Sequence, residues 1–474
     1  MTTQQLYLDG VWTDGAGAPR QVHDKWTGAE LGTYASADGG QVTLAIDSAD
    51  RAYRAGLPAH RRAAVLRRAA ALVEERTETL AHLLQQEAGK PITAARGEVA
   101  RCVQTLLLSA AEANRIQGES LDMGVVPTGE NIAAFTRPVA AGVVGAITPF
   151  NFPLNLVAHK LGPALAAGCP VVLKPSERTP LSAGALVGIF ADAGLPAGWL
   201  HLVTGEPAAI VDELIADPRV QVLTFTGSSA VGWELKAKSP RKRHVLELGS
   251  NTGALVAADA DLDRVVECSV AAAFAYSGQA CVALQRLYVD SRVAEDLSRR
   301  LVAAVQELRA GDPAREDVTV GPLIGDDALA RVEEWIGDAV AGGARVLTGG
   351  SREGKALRPT VLADVQATDR VVCEEVFGPV VSIVPVDGLD EGIEAINSSR
   401  FGLNAAVFTR DLGLALRCTR ELEAGSVLVN LPPAYRSDNM PYGGVKESGQ
   451  GREGVAYAVR ELLDERLVLM HEGA

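Results

Sequence analysis

The chain of 474 residues is 47% apolar and 22% charged, a composition typical of a soluble protein with a large buried core. Its length predicts two or three domains. A formal net charge of −14 repels phosphate backbones and therefore argues against nucleic acid as a partner.

The sequence carries no recognisable targeting or metal-binding signal. Its first residues, "MTTQQLYLDGVW", lack the basic start and apolar run of a signal peptide, and no stretch approaches the 18 apolar residues of a membrane span. The six cysteines and seven histidines are scattered, without a C-x-x-C or H-x-x-x-H pair. We expect a cytoplasmic protein that has no membrane partner, no disulfide framework and no metal site.

The first predicted elements are helices. Apolar residues recur at helical spacing over 59–88, where "GKP" ends the pattern, and a second helix is predicted over 96–117, before Gly118. The segment 119–138 is polar and irregular.

From residue 143 onward, short β-branched runs alternate with helical patterns. This rhythm predicts βαβ units and a parallel sheet with helices on both faces. It continues less regularly in the second half, and the tail 459–470 ends in an apolar run suited to strand pairing or a subunit contact. The predicted strands are 143–147, 170–175, 199–203, 220–226, 244–249, 286–290, 345–347, 379–386, 404–408 and 426–429, and helices are predicted over 154–167, 181–193, 207–216 and from Ser228.

Polar side chains follow the ends of these predicted strands, in "TPFNFP", "KPSE", "TGSSAVG" and "ELGSN". They are Asn151, Lys174, Glu177, Ser228 and Glu247. Ligands of parallel sheets bind beyond the carboxyl ends of the strands, so we expect these residues to line one edge together.

Each of these residues also has a plainer interpretation. Ser228 could bind an anion at a helix N-terminus or simply cap that helix. Glu247, between Leu246 and Leu248, could be a general base with a raised pKa or a solvent-facing carboxylate. Asn151 could be a rigidly mounted amide donor or part of a structured turn.

Cys281 differs from the other cysteines in its surroundings. In "YSGQACVALQR" it lies near Gly278 among small neutral residues, which indicates an accessible thiol. Local sequence leaves open whether it is a nucleophile or another small apolar side chain. The remaining cysteines lie in helical or strand-like apolar runs and are predicted to pack as small hydrophobes: Cys102, Cys169, Cys268, Cys373 and Cys418.

Taken in order, seven motifs resemble the aldehyde dehydrogenase superfamily, from about residue 6 to 465. They are "PFNFP", "KPSE", "FTGS", "ELGS", "GQAC", "EEVFGPV" and "PYGGVKESGQGREG". The resemblance implies an α/β fold with a doubly wound parallel-sheet NAD-binding domain, an α/β catalytic domain and a small β oligomerisation arm. The implied domains are 1–118 with 140–248 for the cofactor, 249–445 for catalysis, and 119–139 with 446–474 for assembly into a homodimer or homotetramer.

The resemblance also implies catalytic roles. Cys281 would attack the aldehyde carbonyl, and Asn151 would donate to the developing oxyanion together with the Cys281 backbone N–H. Glu247 would activate the water that hydrolyses the resulting thioester.

For the cofactor, the resemblance implies contacts from several strand ends. Lys174 and Glu177 would hold the adenosine ribose, Ser228 the pyrophosphate, and Glu375 and Phe377 the nicotinamide ribose and ring. A carboxylate at Glu177 favours NAD over NADP because a 2′-phosphate would place like charges together. Further expected cofactor contacts are Thr148, Pro149, Phe150, Ser176, Gly227, Val231, Leu248 and Gly249.

The substrate motifs are most similar to the branch that handles lactaldehyde and phosphonoacetaldehyde. Arg101, Arg286 and Arg436 are candidate anion contacts, although surface ion pairs are the commoner use of arginine. Phe152 stands where phosphonate-handling members have a histidine, and "YRSDN" (435–439) differs from their pattern. We therefore expect a small hydroxylated or neutral aldehyde.

Two alternatives to this activity are a CoA-acylating dehydrogenase and a catalytically silent NAD-binding or structural homologue. Glu247 argues against the first, since it would activate water, and the intact set of Cys281, Asn151 and Glu247 argues against the second.

Overall fold

A computed structural model describes residues 3–472, and its elements follow the predicted alternation closely in the first half. The α-helices are α1 (Gly39–Ala55), α2 (Ala59–Glu75), α3 (Thr77–Ala88), α4 (Ile92–Glu112), α5 (Asn155–Ala167), α6 (Pro180–Asp192), α7 (Pro207–Ala216), α8 (Ser229–Lys238), α9 (Leu262–Phe274), α10 (Ala294–Gln306), α11 (Asp326–Ala341), α12 (Arg370–Cys373), α13 (Leu389–Asn397), α14 (Leu412–Glu421) and α15 (Val455–Glu461).

The strands, numbered along the chain, are β1 (Thr3–Gln4), β2 (Leu6–Leu8), β3 (Val11–Thr13), β4 (Gly17–His23), β5 (Glu30–Ser36), β6 (Ser120–Asp122), β7 (Ile132–Ala140), β8 (Val143–Ile147), β9 (Val171–Lys174), β10 (Leu200–Leu202), β11 (Val220–Thr226), β12 (Arg243–Glu247), β13 (Thr252–Val256), β14 (Leu284–Asp290), β15 (Arg345–Thr348), β16 (Arg352–Glu353), β17 (Ala356–Leu357), β18 (Thr360–Ala363), β19 (Val380–Val386), β20 (Phe401–Gly402), β21 (Asn404–Phe408), β22 (Ser426–Val429), β23 (Val445–Lys446), β24 (Gly449–Gln450) and β25 (Leu463–His471).

The first large sheet has the strand order β24-β12-β11-β8-β9-β10-β2-β3, and its five central strands are parallel. Alternate side chains of β9 are buried on opposite faces of the sheet. Val171 and Leu173 pack with α2, α4, α5 and α6, whereas Val172 packs with α1 and α7. The chain runs outward from β8 to β10 and then returns to β11 on the other side of β8. This reversal opens a crevice at the carboxyl ends of β8 and β11.

The second large sheet has the order β15-β18-β19-β14-β13-β21-β22, and only β15 runs antiparallel to its neighbour. Helices α9 and α10 cover one face, and α13 and α14 the other. The strands β13 and β18, which have five and four residues, were not predicted.

In addition to the two large sheets, β25, β7 and β6 form a small antiparallel sheet. The strands β25 and β7 pair over nine residues, from Leu463 opposite Ala140 to His471 opposite Ile132. Strand pairing of the tail is thus confirmed, and the segment 119–138 is more ordered than its irregular pattern indicates. The strand β24 lies in the eight-stranded sheet, so the assignment of all of 446–474 to an assembly arm stays a prediction.

Two helix predictions need correction. The segment 59–88 is two helices, α2 and α3, because Arg76 between them has φ −105° and ψ 19°. The next helix begins at Ile92, after Pro91, and ends at Glu112 rather than 117. Gly118 is not its cap: a Cβ there would lie 1.8 Å from the Thr136 carbonyl oxygen, so close approach to β7 requires glycine.

None of the helices within residues 3–472 is both long enough and apolar enough to cross a membrane.

Candidate active site

Cys281 follows a strained loop between α9 and β14. Tyr276, Ser277 and Gly278 all have left-handed backbone angles, with φ of 48°, 57° and 68°. Such a conformation persists only where surrounding contacts enforce it. The Tyr276 hydroxyl donates to Ala88 O (3.0 Å) and the Ser277 hydroxyl donates to Gly321 O (2.9 Å), which pins the loop that presents the thiol.

Asn151, just after β8, reaches this loop from the other large sheet. Its Nδ2 donates to the carbonyl oxygen of Gln279 at 2.9 Å, and the side chain is buried. An amide nitrogen carries two N–H groups, so one remains for a further acceptor beside Cys281. The arrangement therefore suits an oxyanion donor.

A buried ion pair fixes the segment that carries Asn151. The carboxylate of Glu98 accepts from the backbone N–H groups of Leu154 (2.9 Å) and Asn155 (3.0 Å) and is paired with Lys90. Both charged side chains are fully buried.

Lys90 also touches the predicted substrate residue Phe152. Its Nζ lies 3.8 Å from the centre of the Phe152 ring and 4.3 Å from that of Tyr276, so one cation joins both loops. Sequence analysis assigned Lys90 only to a helix stop, because a lysine in "GKP" looks like any exposed turn residue.

Glu247, the last residue of β12, is buried, and neither carboxylate oxygen has a hydrogen-bond partner among residues 3–472. Burial and the neighbouring Glu453 raise its pKa well above the usual value, while Lys160, Arg436 and Arg452 oppose the shift. Glu247 is therefore not a solvent-facing carboxylate. Its raised pKa and its oxygens, which are free within the described chain, suit a group that accepts a proton.

Glu453 is a further buried carboxyl group, and it lies close to Glu247. Lys160 donates to its Oε1 (2.6 Å) and Arg436 to its Oε2 (2.8 Å), and these cations hold its pKa well below the usual range despite its burial. Sequence analysis assigned no role to Lys160 or Glu453. The available signal was a lysine in the mostly apolar helix α5, all of which is buried.

The thiol of Cys281 lies in the same cluster. Its Sγ is 2.9 Å from the hydroxyl oxygen of Tyr442, and the Arg436 guanidinium stands 3.8 Å from the centre of the Tyr442 ring. Burial raises the pKa of Cys281 to about 11 and Glu375 and Glu247 add to this, whereas Tyr442 and Arg436 lower it.

All six cysteines are free, and Cys281 is partly accessible. Four of the others are buried as predicted: Cys102, Cys169, Cys268 and Cys418. The prediction for Cys373 is wrong, since this residue ends the short helix α12 and is exposed.

The predicted cofactor residues lie at one edge of the eight-stranded sheet because the strands they follow are parallel neighbours. Thr148, Pro149 and Phe150 follow β8; Lys174 ends β9, with Ser176 and Glu177 after it; Gly227 and Ser228 follow β11, with Val231 in the first turn of α8; Leu248 and Gly249 follow β12.

This edge has the features of a dinucleotide site. Ser228 precedes α8, is exposed, and makes no side-chain capping bond, so the first N–H groups of the helix stay open to an anion. The buried Lys174 ammonium lies 3.3 Å from the partly exposed Glu177 carboxylate, and the buried Thr148 hydroxyl has no partner in the described chain. The donors present therefore fit a phosphate-bearing cofactor.

Glu375 and Phe377 reach the same edge from the seven-stranded sheet. Glu375 accepts from Ser250 N (2.9 Å), and a Cβ on Gly249 would lie 2.4 Å from its other oxygen, so a larger residue there would displace this carboxylate. Phe377 packs edge-on against Phe150 with ring centres 5.7 Å apart. The structure thus brings together the residues predicted from distant motifs.

The sequence profile described as the aldehyde dehydrogenase family matches residues 12–468. The chain belongs to this family. The predicted membership and α/β fold class are confirmed, and a nicotinamide dinucleotide is the cofactor of aldehyde dehydrogenases.

Two similar aldehyde dehydrogenases are a 3-sulfolactaldehyde dehydrogenase of Priestia aryabhattai and the NADP(+) succinate-semialdehyde dehydrogenase GabD of Escherichia coli K12. The first is 42% identical over 466 residues, 98% of both chains, and the second is 39% identical over 469 residues, 97% of this chain and 96% of the other. Aldehyde dehydrogenase 21 of Physcomitrella patens, solved with the reaction product succinate, matches with a TM-score of 0.96 and 37% identity, covering 99% and 98% of the two chains.

Two of the three arginines predicted as substrate contacts lie in or near the cluster. Arg436 has an Nε without a partner in the described chain, and Arg101 pairs with Asp438 at 2.6 Å. The prediction for Arg286 is wrong: its buried guanidinium donates to Asn251 O (2.8 Å) and Tyr288 Oη (3.1 Å) inside the seven-stranded sheet, which leaves it unavailable to substrate.

The Glu98 anchor generates a prediction about stability. Glu98→Gln leaves Lys90 buried without a counter-charge, so we expect the free energy of unfolding to fall by about 3 kcal/mol. Urea denaturation followed by fluorescence measures this loss. Glu78→Gln removes one partner of an exposed pair with Arg96 and serves as the control that changes little. Equal effects of the two substitutions would contradict the anchoring role.

Proposed function

We propose that this protein oxidises a small polar aldehyde to its carboxylic acid, with NAD as the preferred cofactor, through a thioester on Cys281. One observation carries the proposal: a partly accessible thiol lies in a buried cluster with a carboxyl group whose two oxygens have no hydrogen-bond partner within residues 3–472, and an amide donor reaches the same loop.

In the first half of the reaction, Cys281 Sγ forms a bond to the aldehyde carbon and the carbonyl oxygen gains negative charge. The remaining N–H of Asn151 stabilises that charge from a fixed position, because Glu98 and Gln279 hold the segment on both sides. Glu375 and Phe377 would hold the nicotinamide end of the dinucleotide, which when bound would supply the hydride acceptor for conversion of the adduct to a thioester.

In the second half, Glu247 takes a proton from water as the water oxygen attacks the thioester carbon, and Cys281 leaves as a thiolate. The absence of hydrogen bonds to Glu247 within residues 3–472 leaves both oxygens open to that water. A base in this position supports hydrolysis over transfer to CoA, and the assembled cluster supports an active enzyme over a silent homologue.

Glu247→Gln tests both halves. The glutamine cannot accept the proton, so we expect one rapid equivalent of reduced cofactor followed by turnover at least 100-fold slower than the parent. Stopped-flow absorbance follows the burst, and mass spectrometry locates the acyl group on Cys281. The double variant with Cys281→Ser serves as the control and should show neither burst nor adduct. Parental turnover in Glu247→Gln, or CoA-dependent product release by the parent, would contradict the proposal.

The raised pKa of Glu247 also determines whether the rate of thioester hydrolysis rises or falls with pH. A carboxyl group acts as a base only when ionised, and its ionised fraction grows tenfold per pH unit below its pKa. Single-turnover hydrolysis of the parent thioester should therefore rise with pH through the neutral range, whereas the slow hydrolysis in Glu247→Gln should not follow that profile.

A polar substrate is supported by the relatives and by the site. The names of the two curated relatives specify sulfolactaldehyde and succinate semialdehyde, which are both polar. The Nε–H of Arg436, beside the cluster, has no partner in the part of the chain that the structure describes. Arg101 is one-third exposed nearby, and Phe152 adds an aromatic wall. These residues are proposed to contact the polar end of the aldehyde.

Cofactor choice depends on Glu177. Its carboxylate, 41% exposed and paired with Lys174, can accept hydrogen bonds from ribose hydroxyls, but it repels a 2′-phosphate by roughly 1–4 kcal/mol. This favours NAD by roughly tenfold or more, although GabD carries NADP(+) in its name.

We therefore expect Glu177→Gln to lower the preference for NAD, measured as kcat/KM with NAD divided by kcat/KM with NADP, by about tenfold. Initial rates at one fixed aldehyde concentration measure the ratio. Glu234→Gln, at an exposed pair with Lys238 on α8, is the matched control and should leave it unchanged. A parent enzyme that uses NADP as well as NAD would contradict the role of Glu177.

We also propose that copies of this chain associate through the sheet of β25, β7 and β6. Leu467, Leu469 and Met470 are each about half exposed on β25, and Phe135 of β7 is 37% exposed. Apolar side chains grouped on one strand pair mark a contact surface more often than free solvent exposure.

Light scattering should therefore find a homodimer or homotetramer at micromolar concentration. Leu469→Glu places a charge in that surface and should reduce the mass, whereas Leu44→Glu, at an exposed leucine of α1, should leave it unchanged. A monomeric parent at micromolar concentration would contradict assembly.

A further inference from the structure

The hydroxyl of Tyr442 is positioned to act on the nucleophile. Its oxygen lies 2.9 Å from Cys281 Sγ, and the side chain is 1% exposed, so bulk water does not compete for the contact. We infer that Tyr442 is a further catalytic residue, whose hydroxyl donates a hydrogen bond to the Cys281 thiolate and thereby sets the fraction of enzyme with an ionised nucleophile. The inference rests on the proposed role of Cys281.

The backbone aims this hydroxyl. Tyr442 N donates to Glu453 O (3.0 Å) and Glu453 N donates back to Tyr442 O, an isolated antiparallel bridge. The Tyr442 ring packs in an apolar cluster with Val282 and Leu403. Because ring and backbone are both fixed, the hydroxyl meets the sulfur without losing further conformational freedom.

Arg436 makes the hydroxyl a better donor. Its guanidinium stands 3.8 Å from the centre of the Tyr442 ring and is itself held by Glu453. A cation at the face of a phenol ring withdraws electron density from it and strengthens the O–H as a donor. The same cation favours negative charge on the nearby sulfur.

The proton balance is simple. In the thiol form the S–H can donate to the Tyr442 oxygen; on ionisation the thiol proton leaves for solvent and the Tyr442 O–H turns to donate to sulfur. Tyr442 keeps its own proton in both states, since burial holds its pKa well above the usual value.

The contact matters because the rest of the surroundings disfavour the thiolate. Burial, Glu375 and Glu247 raise the pKa of Cys281, whereas Tyr442 and Arg436 act in the opposite direction. Loss of one of two stabilising groups should therefore have a large effect.

The test measures thiolate reactivity without substrate or turnover. Cofactor-free enzyme is treated with iodoacetamide between pH 6.5 and 9.5, and mass spectrometry follows alkylation of the Cys281 peptide. In Tyr442→Phe we expect alkylation about 10-fold slower or more at each pH, since hydrogen bonds to charged groups are the strong ones. The kcat/KM for the aldehyde should fall with it.

Tyr53→Phe is the matched control. It removes a tyrosine hydroxyl that donates a 2.9 Å bond to Ala140 O, away from the cluster, and should leave the alkylation profile unchanged. If Tyr442→Phe does not fold, 3-fluorotyrosine at position 442 keeps the shape and strengthens the donor, so alkylation should then be faster than in the parent.

Parental alkylation rates across the pH range in either position-442 variant would overturn the inference, even if turnover fell, because a structural role changes turnover without changing the thiolate fraction. A parent enzyme whose alkylated Cys281 still turned over would contradict the proposed function instead.

Discussion

The chemistry of this site depends on one buried anion, the carboxylate of Glu453. Lys160 and Arg436 both donate to it, and Glu247 close by receives no hydrogen bond within residues 3–472. Two neighbouring buried carboxyl groups cannot both ionise cheaply, so the one with hydrogen bonds keeps a low pKa and the pKa of the other is raised. Hydrogen bonding, more than position, therefore divides the pair into a structural anion and a proton acceptor.

The same cations connect the two carboxyl groups to the nucleophile. Arg436 pairs with Glu453, lies over the Tyr442 ring and favours the Cys281 thiolate. Because Arg436 also lowers the pKa of Glu247, the same cation affects the ionisation of both groups. In the proposed mechanism, Cys281 no longer carries negative charge once the thioester has formed, so one source of repulsion on Glu247 disappears. The electrostatics thus suit a thiolate in the first half-reaction and a carboxylate base in the second.

The geometry depends on contacts between two sheets. Asn151 belongs to the eight-stranded sheet and the Cys281 loop to the seven-stranded one, and they meet at the bond from Asn151 to Gln279. Glu98 holds one side, and the hydroxyl bonds of Tyr276 and Ser277 hold the other. Three consecutive left-handed residues are tolerated because these bonds outweigh their strain.

Much of the fold could be predicted from the chain itself. The strands β8, β9 and β11 are short β-branched runs buried on both faces, and such runs separated by helical patterns form a parallel sheet with few alternatives. Because parallel strands end at one edge, the proximity of Lys174, Ser228 and Glu247 also followed from local patterns. The sequence around Cys281 also distinguished this thiol from the other five, because the distinguishing pattern lies within a few adjacent residues.

Only the tertiary structure decided what each charged or polar side chain meets. Local sequence does not distinguish Arg286 from Arg436. Arg286 donates to a backbone carbonyl inside a sheet, whereas Arg436 lies over Tyr442, beside Cys281. Tyr442 lies 161 residues from Cys281, and Glu453 lies 293 from Lys160. Periodicity reports which face of an element is apolar, but hydrogen bonds and ion pairs depend on distances of a few ångströms between elements, which packing alone sets.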